Sequence, residues 1–233
     1  MCYVNLRRGR EVFHFNYNIS GNDLEQVDQI KDLGVILDSK LTFRNHQAAV
    51  IDKANRQLGF MFKIANEFDD PLCLRSLFCA LVRSHLESSA VIWAPYHQNW
   101  IRRIESIQRK FVWYALRNLR WANPLNLPPY EARCRLLGIA TLSKRRDIAK
   151  AVLAAKILTS EIDSPNLLAN LQASVQGRSL RPRSGFLHRN VDRSEYMRHS
   201  PFRSMCAVFN EYFHYFECGE PTINFKRKLQ NAA

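Results

Sequence analysis

The chain has 233 residues, of which 46% are hydrophobic and 24% are charged. This composition excludes an intrinsically disordered protein and allows one large hydrophobic core or two small ones. The net charge of +13 is uneven: residues 1–100 carry 11 basic and 11 acidic side chains, residues 101–157 carry 13 and 3, and residues 158–233 carry 10 and 7. An excess of +10 in one quarter of a globular sequence indicates a polyanionic partner, and it favours nucleic acid over an anionic membrane surface.

Cysteine spacing and hydropathy predict the compartment. The six cysteines show no C-x-x-C spacing, which is typical of a reduced, intracellular protein, and the nucleus and the cytoplasm both stay open. The first residues lack the apolar core of a signal peptide, and no stretch approaches the roughly 18 apolar residues of a membrane span, so no membrane partner is expected. Cys206, His214 and Cys218 lie on one predicted helix without a second ligand pair at zinc spacing, so no metal site is predicted.

The first 41 residues are predicted to form short strands. Residues 12–19 alternate aromatic or aliphatic with polar side chains, residues 20–23 have turn chemistry, and residues 24–27 and 33–37 resemble further strands. The pattern predicts a small antiparallel β-hairpin assembly. Such a sheet is stable only when it packs on something else.

From Thr42, a predicted N-cap, the apolar period changes to three and four residues, which predicts a helix to about residue 65. Asp69, Asp70 and Pro71 are typical of the start of a second helix. A third is predicted from about Asn99, with apolar side chains toward its neighbours and arginines and lysines toward solvent.

Prolines between residues 121 and 129 predict a linker and a domain boundary. Beyond it, helices are predicted at residues 130–137, ended by Gly138, and at residues 142–158, capped by Thr141. Residues 176–193 are predicted to be a flexible basic loop, and Ser200 and Pro201 to start a last helix with a wide aromatic face. The predicted fold class is therefore α+β, mostly α: a small antiparallel β-hairpin assembly (1–41), a helical bundle (42–121) and a basic helical C-terminal region (122–233).

Three phrases in fixed order carry a family resemblance. They are residues 31–38 (KDLGVILD), 81–87 (LVRSHLE) and 104–111 (IESIQRKF), supported by residues 93–95 (WAP), 129–138 (PYEARCRLLG) and 209–211 (FNE). Together they resemble the C-terminal part of jockey-type non-LTR retrotransposon reverse transcriptases, which are RNA-directed DNA polymerases. The resemblance implies the end of a palm at 1–41, a thumb at 42–121 and a post-thumb region at 122–233.

The resemblance also implies that the catalytic carboxylates are missing. In this family the aspartates that hold Mg²⁺ lie on palm strands upstream of the matching region, so no cofactor is expected on this chain and no catalytic residue is assigned. The adjacent acids Asp69 and Asp70 are explained by helix capping. Three alternatives stay open: a non-catalytic binding module, a subunit completed by a separate palm, and the product of a decayed transposon.

Nucleic-acid contacts are predicted from the resemblance and from charge. Leu33 and Gly34 match the strand that holds the primer terminus, although a simple bulge would also explain the glycine. Thumb cations would contact phosphates, with solubility as the alternative role. Three cations lie in the first turn of another predicted helix, where the helix dipole disfavours positive charge, and a bound polyanion would relieve that conflict. The predicted nucleic-acid-binding residues are Leu33, Gly34, Lys53, Arg56, Lys63, Arg83, Arg102, Arg103, Arg109, Lys110, Lys144, Arg145 and Arg146.

Overall fold

The computed structural model describes residues 2–6, 16–68, 70–117, 128–171, 186–187 and 195–232. Within these residues the fold is mostly helical with a small β part at the start, which confirms the coarse fold class. Most of the predicted linker at 121–129 and most of the predicted basic loop at 176–193 lie outside the described residues. None of the described helices combines the length and the apolar character that crossing a membrane requires.

In the part of the chain that the structure describes, six short strands form three two-stranded pairs. Strands β2 and β3 pair antiparallel, as do β5 and β6, but β1 and β4 pair parallel, so the prediction of a wholly antiparallel assembly was wrong at this pair. Parallel pairing is possible because β1 and β4 are joined by a long connection rather than a tight turn. The strands are β1 (Cys2–Tyr3), β2 (Asn18–Ile19), β3 (Asn22–Asp23), β4 (Glu25–Gln26), β5 (Gln29–Asp32) and β6 (Val35–Asp38).

Leu33 and Gly34 form the turn between β5 and β6, not the core of a strand as predicted. Asp32 pairs with Val35 across the hairpin, and both turn residues have positive φ angles, 44° for Leu33 and 87° for Gly34. Two consecutive left-handed residues give the twist that a two-residue hairpin loop needs, and glycine adopts this conformation without strain. The glycine therefore serves the hairpin turn.

Asp38 connects the hairpin to the first helix. Its carboxylate accepts hydrogen bonds from the Thr42 backbone N–H at 2.7 Å and from the Thr42 hydroxyl at 2.5 Å. The predicted N-cap position was wrong by one residue, because Phe43 takes that position in a left-handed conformation with φ 56°. Thr42 instead closes the turn with Asp38.

Eleven helices lie in the described part of the chain, with 3₁₀ turns at Ala65–Glu67 and Phe213–Tyr215 and a π-helical turn at Phe78–Arg83. The helices α8, α9 and α11 were not predicted from the sequence. The α-helices are α1 (Arg44–Ile64), α2 (Pro71–Leu77), α3 (Ser84–Glu87), α4 (Ala90–Trp93), α5 (Gln98–Arg117), α6 (Tyr130–Leu136), α7 (Leu142–Leu158), α8 (Pro165–Asn170), α9 (Glu195–Arg198), α10 (Pro201–Tyr212) and α11 (Thr222–Asn231).

Predicted helix ends are confirmed at four positions. Asp70, Thr141 and Ser200 each accept a hydrogen bond from a backbone N–H in the first turn of the following helix. Gly138 follows α6 with φ 61°, the left-handed conformation that ends many helices. These signals are local in sequence, which is why they are readable without the tertiary structure.

Two hydrophobic cores share helix α7. The first is built from α1 to α6 and from β6, with Trp93, Phe78 and Phe111 fully buried, and it extends past the predicted linker to Leu142. The second begins at Ile148 and includes α10 and α11, with Phe209 and Phe225 at its centre. Helix α7 thus contributes its first turn to one core and the rest of its length to the other.

Candidate nucleic-acid interface

Helix α5 has a continuous apolar face that fixes its orientation. Ile104, Ile107 and Phe111 are completely buried in the first core, and Phe111 stacks on Phe78 with ring centroids 4.1 Å apart. Because these residues recur at three- and four-residue steps, they point the same side of the helix inward. The opposite side of α5 is thereby held toward solvent.

The solvent side of α5 carries five cations on one face. At 100° per residue, residues 102, 103, 106, 109, 110, 113 and 117 fall within about one third of the helix circumference. Their span along the axis is about 22 Å at 1.5 Å per residue. The exposed cations, which we call the α5 cationic face, are Arg102, Arg103, Arg109, Lys110 and Arg117.

Among the described residues, no carboxylate neutralises the α5 cationic face. Within the part of the chain that the structure describes, none of its five cations forms an ion pair. The single acidic residue of α5, Glu105, is buried. Unpaired cations aligned on one face of a helix produce a concentrated positive potential, which attracts polyanions.

Glu105 instead connects α5 to the chain beyond the linker. Its Oε1 accepts a hydrogen bond from the Tyr130 hydroxyl at 2.6 Å and one from the Leu142 backbone N–H at 3.1 Å. Burial and the hydrogen bond to Glu105 strongly raise the pKa of Tyr130. The Glu105 carboxylate therefore points into the protein, and its hydrogen bonds connect α6 and α7 to α5.

Aromatic rings position three of these arginines. The guanidinium carbon of Arg103 lies 4.6 Å from the ring centroid of Trp100, that of Arg109 lies 4.6 Å from Tyr130, and that of Arg117 lies 5.2 Å from Trp113. Each distance is within the range of a cation–π contact. Such contacts restrict the arginine side chain while its N–H groups remain available to a further acceptor.

Trp113 adds an exposed aromatic surface to the α5 cationic face. Its side chain is 43% exposed and lies between Lys110 and Arg117 on the helix. An exposed ring among cations can stack on a nucleobase while the neighbouring cations contact phosphates. Trp93, by contrast, is buried and donates its indole N–H to the Ser88 carbonyl at 2.7 Å, so it is a core anchor.

Helix α1 presents a second, smaller set of predicted cations. Lys53, Arg56 and Lys63 are exposed at steps that place them on one side of the helix, together with the half-exposed Phe60. None of the three forms an ion pair within the described ranges. Arg83, in the π-helical turn, is partly covered and lies 3.6 Å from Glu87, so its charge is partly compensated.

The three predicted cations at the start of α7 are directed toward protein groups. Lys144 donates from Nζ to the Ala232 carbonyl at 3.0 Å, and Arg145 forms a two-point ion pair with Glu87. This ion pair raises the pKa of Arg145. Arg146 is 5% exposed. Arg146 is therefore not part of the exposed cationic surface of the protein.

Leu33 and Gly34 lie apart from these helices, at the tip of the β5–β6 hairpin. The Leu33 side chain is 95% exposed. A fully exposed leucine beside a left-handed glycine offers neither a charge nor a hydrogen-bond donor side chain to a primer terminus. We therefore also leave these two residues out of the proposed surface.

No catalytic constellation is assembled by the described residues. Asp70 caps α2, and Asp69 lies outside the described residues. Among the residues that the structure describes, no group of three or more His, Cys, Asp or Glu side chains is arranged to hold a metal ion. We accordingly derive no metal-dependent step for this chain.

The predicted set of nucleic-acid-binding residues omits Trp113 and Arg117, although the sequence places Arg117 on the solvent side of its helix and Trp113 among the aromatic residues that interleave with arginines. Trp113 follows Lys110 by three residues and Arg117 follows Trp113 by four, so their shared face was detectable from helical spacing alone. The inward orientation of Glu105 was not detectable from the sequence, since its partners Tyr130 and Leu142 lie 25 and 37 residues further along the chain.

Comparisons with protein-family models, with curated proteins and with solved structures find no match to this chain. The family resemblance therefore remains a proposal.

Proposed function

We propose that this chain binds RNA or an RNA–DNA duplex through the α5 cationic face and does not itself catalyse nucleotidyl transfer. The observation that carries the proposal is a row of five exposed, uncompensated cations on one rigid helix, interleaved with Trp113. Phosphate neutralisation by such cations supplies most of the affinity of sequence-independent binding. Binding would therefore tolerate many sequences.

The aromatic residues favour nucleic acid over other polyanions. An acidic protein surface or an anionic membrane would satisfy the cations equally well, but neither has planar bases that stack on Trp113. Arginine also suits phosphate better than lysine does, because its planar fork makes two parallel hydrogen bonds. Four of the five cations on the α5 cationic face are arginines.

We further propose that the chain is the end of the palm, the thumb and the post-thumb region of a jockey-type reverse transcriptase. Support comes from the order of the three sequence phrases and from short strands followed by a helical bundle. In that case α5 would hold the template–primer duplex, and a separate palm region would be a partner that supplies the carboxylates and Mg²⁺. A decayed transposon product that keeps only the binding surface would bind nucleic acid in the same way.

The decisive experiment compares two triple variants with equal net charge. The test variant is Arg102→Gln, Lys110→Gln and Arg117→Gln; the control is Lys40→Gln, Arg44→Gln and Arg135→Gln, three exposed cations that are not on α5. Fluorescence anisotropy with RNA, DNA and RNA–DNA duplexes measures affinity. We expect the test variant to lose about tenfold or more, and the control to lose much less, because local phosphate contacts outweigh net charge.

Two results would contradict the proposal. Equal losses in both triple variants would show that binding depends on net charge alone, and absence of binding by the unmodified chain at low ionic strength would remove the function altogether. Template-dependent primer extension by the purified chain would refute the non-catalytic part.

A further inference from the structure

A second cationic feature lies away from the α5 cationic face, in a cavity between α7 and α11. The cavity has a volume of about 260 Å³ and includes three cations, Arg145, Arg146 and Lys226, with Gln230 and Glu87 also on its wall. Lys226 and Gln230 are one helical turn apart on α11, so both face the cavity. The hydrogen bond from Lys144 to the Ala232 carbonyl holds the end of α11 against the start of α7.

Arg146 is buried without a full set of partners. Its side chain belongs to a residue only 5% exposed, and its Nη1 has no hydrogen-bond acceptor among the described residues. Burial lowers the pKa of Arg146, and the nearby carboxylates Glu105, Asp147 and Glu87 oppose that effect. A buried guanidinium normally satisfies its donors with an anion or carbonyl groups, since an unpaired buried charge is costly.

The neighbouring carboxylates are already engaged by other groups. Glu87 accepts from Arg145 and lies 3.6 Å from Arg83, and Asp147 lies 3.4 Å from Lys150. Oε1 of Glu105 accepts from Tyr130 and from the Leu142 backbone, whereas its buried Oε2 has no hydrogen-bond partner among the described residues. The cavity wall thus carries three cations against one carboxylate, and that carboxylate is shared by two arginines.

We propose that this cavity binds a phosphate group, held by Arg146, Lys226 and the side-chain amide of Gln230. A phosphate supplies several charged acceptor oxygens, which match a guanidinium fork, an ammonium and an amide N–H₂. The volume is slightly below the range of about 300–1,000 Å³ that is usual for pockets holding a whole cofactor. The cavity therefore suits a phosphate and the small group that carries it.

The phosphate could belong to a free monoester or to the terminus of a nucleic acid chain. The chemistry of recognition is shared, so the experiment has to separate the two sources. The site does not depend on the α5 cationic face, because the two sets have no residue in common. Failure of one proposal would leave the other unaffected.

Isothermal titration calorimetry with inorganic phosphate, against chloride at matched ionic strength, tests the site directly. The variant is Lys226→Gln, and the matched control is Arg227→Gln, an exposed cation on the same helix that does not line the cavity. We expect the unmodified chain to bind phosphate, Lys226→Gln to bind it about tenfold more weakly, and Arg227→Gln to bind it normally, because one charge-assisted hydrogen bond is lost only in the first variant. A second arm compares 5′-phosphorylated and 5′-hydroxyl oligonucleotides of one sequence in the triple variant Arg102→Gln, Lys110→Gln, Arg117→Gln.

Each outcome has a defined meaning. Phosphate binding with a preference for the 5′-phosphorylated strand, both lost in Lys226→Gln, supports a nucleic acid terminus, and phosphate binding without that preference supports a free monoester. No heat of binding beyond the chloride control would overturn the proposal. Equal weakening in Lys226→Gln and Arg227→Gln would overturn it as well, since it would show a diffuse charge effect.

Discussion

Gly138 is required by the local structure around it, whereas Gly59 is not. Gly138 ends α6 with φ 61°, and a Cβ there would lie 2.9 Å from Nη1 of Arg75, which donates to the Leu137 carbonyl. Gly59 lies inside α1 on its exposed side, and a Cβ there would meet nothing within 4 Å. One glycine is required by conformation and close approach, whereas the other only weakens a helix.

These positions predict opposite effects of the same substitution. We expect Gly138→Ala to lower the free energy of unfolding by about 1–2 kcal/mol, because alanine is strained at positive φ and the Arg75 side chain has to move. Gly59→Ala should raise it by about 0.5–1 kcal/mol through higher helix propensity. Chemical denaturation of the two variants beside the unmodified chain measures both, and a shift of the same sign in the two would contradict the assignment.

At the scale of elements, the β5–β6 hairpin packs on α1 through a buried histidine. The Ile36 backbone N–H in β6 donates to Nδ1 of His46 in α1 at 3.3 Å, and the His46 ring lies edge-on to Trp93 with centroids 5.2 Å apart. Burial lowers the pKa of His46, and Lys31 of the hairpin lowers it further. The neutral imidazole is therefore part of the contact between the hairpin and the helix.

This contact predicts pH-dependent stability. As the pH falls below about 6.5, His46 is protonated more readily in the unfolded chain than in the folded chain. The free energy of unfolding therefore decreases, by at most about 1.4 kcal/mol per pH unit. Above pH 6.5 this contribution is fully present. We expect His46→Gln to reduce the slope of unfolding free energy against pH between about 6.5 and 5.

A second histidine, His85, also contributes to the pH dependence of stability. Burial and Lys53 also lower the pKa of His85, so His46→Gln is best measured in a His85→Gln chain. Denaturation at several pH values gives the slope, and an NMR titration of the His46 ring gives its pKa directly. An unchanged slope, or a His46 pKa at or above 6.5, would disprove the argument.

At the scale of the whole molecule, charge and packing are arranged separately. The two cores meet along α7, whose first turn carries the inward-directed Arg145 and Arg146, while α5 turns its cations outward. The cations of these two helices thus have different roles. Those of α7 are directed toward other groups of the protein, and those of α5 remain on the surface. The net charge of the chain alone overstates the charge available to a partner.

This separation predicts the salt dependence of nucleic acid binding. If the five cations of the α5 cationic face each neutralise one phosphate of duplex DNA, the slope of log K against log salt should be about −4 to −5, since each contact contributes about −0.9. The triple variant Arg102→Gln, Lys110→Gln, Arg117→Gln should bring the slope to about −2. Anisotropy titrations at several salt concentrations measure it, and a flat response in the unmodified chain would show that the face is only solvated.

The sequence by itself determined the features that depend on neighbours along the chain. Helical periodicity located α1, α5 and α7, and the caps Asp70, Thr141 and Ser200 were recognisable because a cap bonds to backbone groups two or three residues away. The basic character of residues 101–157 was evident from counting.

Only the tertiary structure decided which of those charges face solvent. Glu105 is bonded to groups 25 and 37 residues away, and Arg145 to Glu87, 58 residues away. The turn at Leu33 and Gly34 likewise depends on the register between two strands. Periodicity fixes which residues share a face, but the direction of that face, and the partner of each charge, depend on packing between segments distant in sequence.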